Sequence, residues 1–121
     1  MIVTMGSMCG TARDAVDSMR AAGMSVGLVK VRLFRPLPTT ALREALTGIE
    51  EVIVLDRNYS PGLGGVLHQE LRAALYGTSV TPRIHGLLAG VGGVNVSVDK
   101  IIEFVNQAGM HEAQPESLWV R

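Results

Sequence analysis

One cysteine, Cys9, stands in 121 residues. That scarcity excludes an internal disulfide and any zinc or iron–sulfur site built from cysteine within the chain. It suits a reducing compartment, and the cytoplasm is the expected location. Net charge is also missing: eleven Lys and Arg residues cancel eleven Asp and Glu residues. Nothing global therefore draws the chain to nucleic acid or to an anionic membrane. No apolar run approaches the roughly 20 residues that span a bilayer. The first residues do not read as a secretory leader, which needs a basic, then apolar, then small-residue pattern. What is present is an apolar content of 47 % against 18 % charged residues. That balance excludes disorder and coiled coil and gives enough core for one domain.

Strand-like and helix-like segments alternate along the chain, with short punctuation. Ile2-Val3-Thr4-Met5 is a strand that stops at Gly6. Thr11 and Asp14 have capping-box spacing, and Ala12, Ala15, Val16, Met19 and Ala22 follow at helical period up to Gly23. Val26 to Phe34 is a second strand, and Thr39 or Thr40 caps a short helix carrying Leu42, Ala45 and Leu46. Val52-Ile53-Val54-Leu55 is a continuous apolar run, as expected for a strand covered on both faces. The loop Asn58 to Gly65 opens a helix with Leu67, Leu71, Ala74 and Leu75 on one stripe. Arg83 to Leu88 is a fourth strand. Ser97 caps a last helix, with Val98, Ile101, Ile102 and Val105 inward and Gly109 as its stop. Such alternation implies right-handed crossovers and a mostly parallel sheet of order 2-1-3-4 between two helical layers, a three-layer α/β/α sandwich. Residues 1–109 form this domain and residues 110–121 an aperiodic tail. The first strand begins at the second residue, as if the chain were cut from a longer one.

The chemistry on offer is sparse. Gly6-Ser7-Met8-Cys9-Gly10-Thr11 is a tight strand-to-helix turn that fits neither G-x-G-x-x-G nor the P-loop. Its glycines serve either a sharp turn or an anion cradle. The loop Asn58-Tyr59-Ser60-Pro61-Gly62-Leu63-Gly64-Gly65 has the same two readings. In the expected sheet order the two loops flank the switch point, so a small ligand, if any, would meet Gly6, Ser7, Gly10, Thr11, Asn58, Gly62, Gly64 and Gly65. Asp56 before that loop is either a functional carboxylate or paired to a helix terminus or an arginine. His68, His85 and His111 have no metal-ligand spacing, and Cys9 has no basic neighbour in sequence. No catalytic constellation and no metal site emerge. Lys30 and Arg32 alternate with Val29, Val31 and Leu33, and Arg35 follows. Arg83 and His85 alternate in the same way. A strand inside a covered sheet should not carry such cations unless they pair near strand ends or face another protein. Trp119, the only tryptophan, either folds back on this core or anchors a neighbour. Lys30, Arg32, Arg35, Arg83 and Trp119 are thus the interface candidates.

Three runs carry a family resemblance: Val3-Thr4-Met5-Gly6-Ser7 with Cys9-Gly10-Thr11; Val26 to Pro38 through Lys30-Val31-Arg32-Leu33-Phe34-Arg35-Pro36; and Val54-Leu55-Asp56-Arg57-Asn58. Together they resemble the α-subunit of pyruvate:ferredoxin oxidoreductase (pyruvate synthase), specifically its domain that is similar to the C-terminal domain of transketolase. The resemblance covers nearly the whole chain. It departs at Gly92-Gly93-Val94-Asn95, where the family pattern would be Gly-Gly-Arg-Asp. The resemblance implies a parent enzyme that oxidatively decarboxylates pyruvate to acetyl-CoA and reduces ferredoxin. Thiamine diphosphate, Mg2+, iron–sulfur clusters and CoA would then belong to other parts of the complex. Partners would be a preceding thiamine-enzyme domain, further subunits and, through them, ferredoxin. It also implies an antiparallel edge strand before the first strand seen here, without which the second strand has an unpaired edge beside Lys30 and Arg32; a separate reading is a homodimerising interaction domain joined edge to edge through that second strand. The alternative is a free-standing nucleotide- or anion-binding module using the two glycine loops.

Overall fold

Parallel strands buried on both faces govern the architecture. A computed structural model of the chain describes residues 1–6, 8–32, 37–57, 59–62, 64–90 and 95–119. Ser7, Arg35, Asn58 and the Gly92-Gly93-Val94 run, singled out above, lie outside the described residues. Along the chain come β1 (Ile2–Met5), α1 (Met8–Ala21), β2 (Leu28–Val31), α2 (Thr39–Leu46) and β3 (Glu51–Asp56). They are followed by β4 (Tyr59–Ser60), β5 (Gly64–Gly65), α3 (Val66–Leu75), β6 (Arg83–Leu88), α4 (Val98–Ala108) and β7 (Leu118–Trp119). One sheet runs β2-β1-β3-β6-β7, with every pairing parallel. The expected order 2-1-3-4 is therefore present, and β7 extends it by a strand. The strands β4 and β5 form a separate antiparallel ribbon in the loop before α3.

Alternation along β3 explains the apolar run. Ile53 and Leu55 join Ile2 and Leu87 against α1 and α4, where Ala12, Ala15, Met19, Ile101 and Phe104 are buried. Val52 and Val54 join Val3 on the other face, against Leu42 and Leu46 of α2 and Leu67, Leu71 and Leu75 of α3. Each large side chain buried in this way contributes about 1.5–3 kcal/mol. The result is a three-layer α/β/α sandwich. No helix among the described residues is long and apolar enough to cross a membrane.

Several sequence expectations need correction. Among the described residues the second strand is Leu28–Val31, so Val26 and Gly27 precede it, while Leu33 and Phe34 of the expected Val26 to Phe34 run lie outside the described residues. Its neighbour β1 has four residues and its register starts at Ile2 opposite Leu28, so Val26 has nothing to pair with. Helix α1 starts at Met8, so Gly10 and Thr11 lie inside it and Thr11 with Asp14 is not a capping box. The chain turns at Gly6, whose φ of 72° is open to glycine, and Gly6 O at once accepts the Cys9 N–H. Neither Thr39 nor Thr40 caps α2; the residue before its first turn is Pro38 and no side chain bonds there. On α4 the deepest side chains are Ile101, Phe104 and Ala108, with Val98, Ile102 and Val105 half-buried beside them. Ser97 does cap α4, accepting the Lys100 N–H at 3.2 Å.

Candidate functional site

The two glycine loops do flank the switch point, because β1 leads through α1 to β2 on one side while β3 leads through α3 to β6 on the other. The chemistry at that point is already committed to structure. Asp56 ends β3 and is only 2 % exposed. Its carboxylate accepts the Leu67 N–H at 3.2 Å and the His68 N–H at 2.8 Å, which caps α3. A carboxylate at a helix N-terminus satisfies orphan donors and meets the positive end of the dipole. Burial raises the Asp56 carboxyl above the usual range, and the two N–H bonds work against that shift. Gly65 must be glycine for the same reason, since a Cβ there would run into the Asp56 carboxylate and Ser117. Gly62 and Gly64 have φ of 82° and 95° and shape the ribbon that returns the chain to α3. Arg57 points elsewhere: its Nε donates to Gly90 O at 3.4 Å, two residues past β6.

Sequence reasoning missed the centre of this region. His68 is fully buried on α3, with its ring packed over Gly86 of β6, where any Cβ would collide with it. His68 Nδ1 lies 2.7 Å from Ser117 Oγ, which also accepts the Gly65 N–H at 3.0 Å. His68 Nε2 is buried with no partner among the described residues. Burial first, then the Arg72 guanidinium and His85, lowers the imidazole to about 4, so the ring is neutral at pH 7. The stripe that put Leu67, Leu71 and Leu75 inward was the available signal, since His68 lies on its border. Ser117 carried none, because tertiary contact alone brings it there.

Serine, histidine and aspartate thus meet, yet they are not wired for catalysis. A nucleophile triad requires the carboxylate to orient the imidazole. Here Asp56 holds main-chain N–H groups, including that of His68, and the ring Nδ1 goes to Ser117. The described residues also fail to fit the groups that the resemblance implies for the parent. A cluster needs several thiolates, and the chain has Cys9 alone. No three His, Cys, Asp or Glu side chains among the described residues could hold a metal ion. A diphosphate at the α3 N-terminus would displace or repel the Asp56 carboxylate already there.

The interface candidates separate. Arg83 Nε lies 3.3 Å and His85 Nε2 3.4 Å from Glu51 Oε1, so both side chains have a partner within the fold. Lys30 is half-buried and Arg32 exposed at the outer strand β2, and neither has a hydrogen bond or ion pair to another described residue. Trp119, in β7 at the other edge, is 56 % exposed and so does not close the core.

Comparison with known proteins supplies the family. The model of pyruvate:ferredoxin oxidoreductase core domain II matches residues 1–101. The ketoisovalerate oxidoreductase subunit VorA of Pyrococcus furiosus is 43 % identical over 97 residues, which cover 80 % of this chain and 25 % of that protein. The pyruvate synthase subunit PorA of Methanothermobacter thermautotrophicus is 36 % identical over 107 residues, 88 % of this chain and 27 % of that protein. PorA of Methanocaldococcus jannaschii is 34 % identical over 122 aligned positions, 99 % of this chain and 30 % of that protein. This chain therefore spans only about a quarter to a third of the length of those relatives. A three-layer α/β/α sandwich in which the carboxylate ending β3 caps α3, matched over residues 1–101 by the family model, places the chain in the pyruvate:ferredoxin oxidoreductase core domain II family.

Proposed function

We propose that this chain is a scaffold domain of a 2-oxoacid:ferredoxin oxidoreductase α-subunit in the cytoplasm. The parent enzyme takes pyruvate and CoA to acetyl-CoA and CO2 while reducing ferredoxin, and catalyses the reverse. Thiamine diphosphate with its Mg2+, and the iron–sulfur clusters, sit on other domains or subunits. The domain's own task is to pack against a preceding thiamine-enzyme domain and hold subunits in register. One observation carries this reading: the Asp56 carboxylate, the best-placed reactive group at the switch point, is spent on the α3 N-terminus. The same observation disfavours a free-standing anion-binding module, since the helix end that would bind the anion holds a carboxylate.

A second reading of the substrate has its own support. The ketoisovalerate oxidoreductase subunit shares more identity with the chain than the pyruvate synthase subunits do. A branched 2-oxoacid would then replace pyruvate. Two measurements test the proposal. The 121-residue chain, mixed with thiamine diphosphate, Mg2+, CoA and an electron acceptor, should neither turn over pyruvate nor bind the diphosphate tightly; turnover would overturn the scaffold role. The assembled parent enzyme should show a higher kcat/KM for pyruvate than for ketoisovalerate, and the reverse ranking selects the second reading.

A further inference from the structure

Arg72, on α3, is a half-buried guanidinium with no carboxylate partner among the described residues. Its Nη1 donates to Gln69 Oε1 at 3.0 Å and to the Pro115 carbonyl at 2.9 Å, both of them neutral acceptors. A cation drawn this far from water is ordinarily matched by an anion. Its Nε and Nη2 have no acceptor among the described residues.

Arg72 lines an open cleft of about 270 Å3 between α3, the start of β6 and the connection from α4 to β7. Arg83 is the other charged side chain in its lining, and no aspartate or glutamate is among the described lining residues. Glu51 takes the Arg83 Nε at 3.3 Å, which leaves Nη1 and Nη2 without an acceptor among the described residues. Guanidinium groups with free N–H edges match carboxylate oxygens in paired hydrogen bonds. Pro82, Ile84, Ala113 and Pro115 give the cleft apolar walls, which suit a short methylene stem. Sites that enclose a small ligand run to roughly 300–1,000 Å3, so an open cleft of this size fits a side chain that projects from a larger body.

We propose that this cleft receives a glutamate side chain of a partner protein, its carboxylate held between Arg72 and Arg83. Both cations are positioned in advance, Arg72 by Gln69 and Pro115 and Arg83 by Glu51, so little side-chain freedom is lost on docking. Arg83 thereby keeps its place among the interface candidates although Glu51 meets it within the fold. The docking does not depend on which 2-oxoacid the parent uses, nor on whether the domain is a scaffold.

The test titrates the 121-residue chain with a blocked Gly-Leu-Glu-Leu-Gly peptide, with its Gly-Leu-Gln-Leu-Gly counterpart, and with inorganic phosphate alone. Backbone amide and arginine Nε–H shifts are followed together. Expected is saturation by the glutamate peptide centred on Arg72, Arg83, Ile84 and Ala113, with about ten-fold weaker binding of the glutamine peptide. Arg83→Gln should weaken the glutamate peptide about five-fold or more while leaving the core amide spectrum unchanged, as Arg83 is exposed. Arg72→Lys, which keeps the charge but loses the planar fork, should weaken it about three-fold or more. Equal binding of the two peptides, shifts centred outside the cleft, no saturation, or unchanged affinity with Arg83→Gln would overturn the proposal. So would phosphate that matches the glutamate peptide in affinity and displaces it, since the cleft would then belong to a free oxyanion.

Discussion

At the scale of single residues, Asp56 is where a side chain of catalytic type has become a structural one. Replacing it by alanine strands the Leu67 and His68 N–H groups in a buried place. Asp56→Ala should cost about 2–3 kcal/mol, combining the lost cap with unsatisfied donors, and Asp56→Asn, which keeps one acceptor oxygen, about 1 kcal/mol. Urea midpoints measure both; equal stability of all three proteins would remove the cap from its structural role. Gly86 is the complementary case. Gly86→Ala pushes a methyl into the His68 ring and should cost about 1–3 kcal/mol by overpacking. Adding His68→Ala should restore part of that loss, because the ring that the methyl meets is gone.

His68 also gives the fold a defined acid sensitivity. Its folded value of about 4 lies below the ordinary 6.5, so between those pH values the unfolded chain binds the extra proton. Stability from this residue is therefore complete above about pH 6.5 and falls as the pH drops toward 4, by up to roughly 3 kcal/mol. Asp56 acts in the opposite sense: its raised carboxyl binds a proton more readily in the folded chain, so protonation there favours the fold. Between pH 6.5 and 5, comparison with a variant that lacks the imidazole isolates the histidine. Denaturant unfolding in that window should slope for the native chain and flatten for His68→Gln; equal slopes would contradict the burial argument.

At the scale of elements, the helix starts separate what side chains do from what their spacing suggests. Ser97 accepts the Lys100 N–H at the start of α4, so Ser97→Ala should cost about 1 kcal/mol. Thr11, despite its capping-box spacing to Asp14, lies within α1. Thr11→Ala should accordingly be neutral, or stabilising by a few tenths of a kcal/mol from helix propensity. Thermal unfolding of the two variants distinguishes them, and a large loss with Thr11→Ala would restore the cap. The strands show the same division. The run Val52 to Leu55 was legible because burial on both faces leaves no polar position. The strand β7 was not, because Leu118 and Trp119 are placed by pairing with Leu87 and Leu88 and by the bonds of Ser117 and Pro115, not by any local period.

For the whole molecule, the cations at the β2 edge matter most. Lys30 and Arg32 flank β2, the outer strand, without partners among the described residues. If that edge meets another part of the parent enzyme, Lys30→Glu with Arg32→Glu should lower the yield of assembled complex several-fold. The unfolding midpoint of the 121-residue chain should meanwhile shift by less than about 0.5 kcal/mol, as expected of surface changes. Size-exclusion and activity per assembled complex read the two effects separately. Unchanged assembly would assign the edge to solvent.

The sequence by itself determined the layered α/β plan, because apolar period, glycine stops and strand alternation are local consequences of which side chains avoid water. It also determined that no cluster of cysteines and no metal-ligand spacing exists, since those are matters of composition. Only the tertiary structure decided that Asp56 is consumed by α3, that His68 meets Gly86 and Ser117, and that the last residues extend the sheet. Those contacts join residues 11 to 52 positions apart in the chain, and a separation of that kind leaves no periodic trace in a sequence.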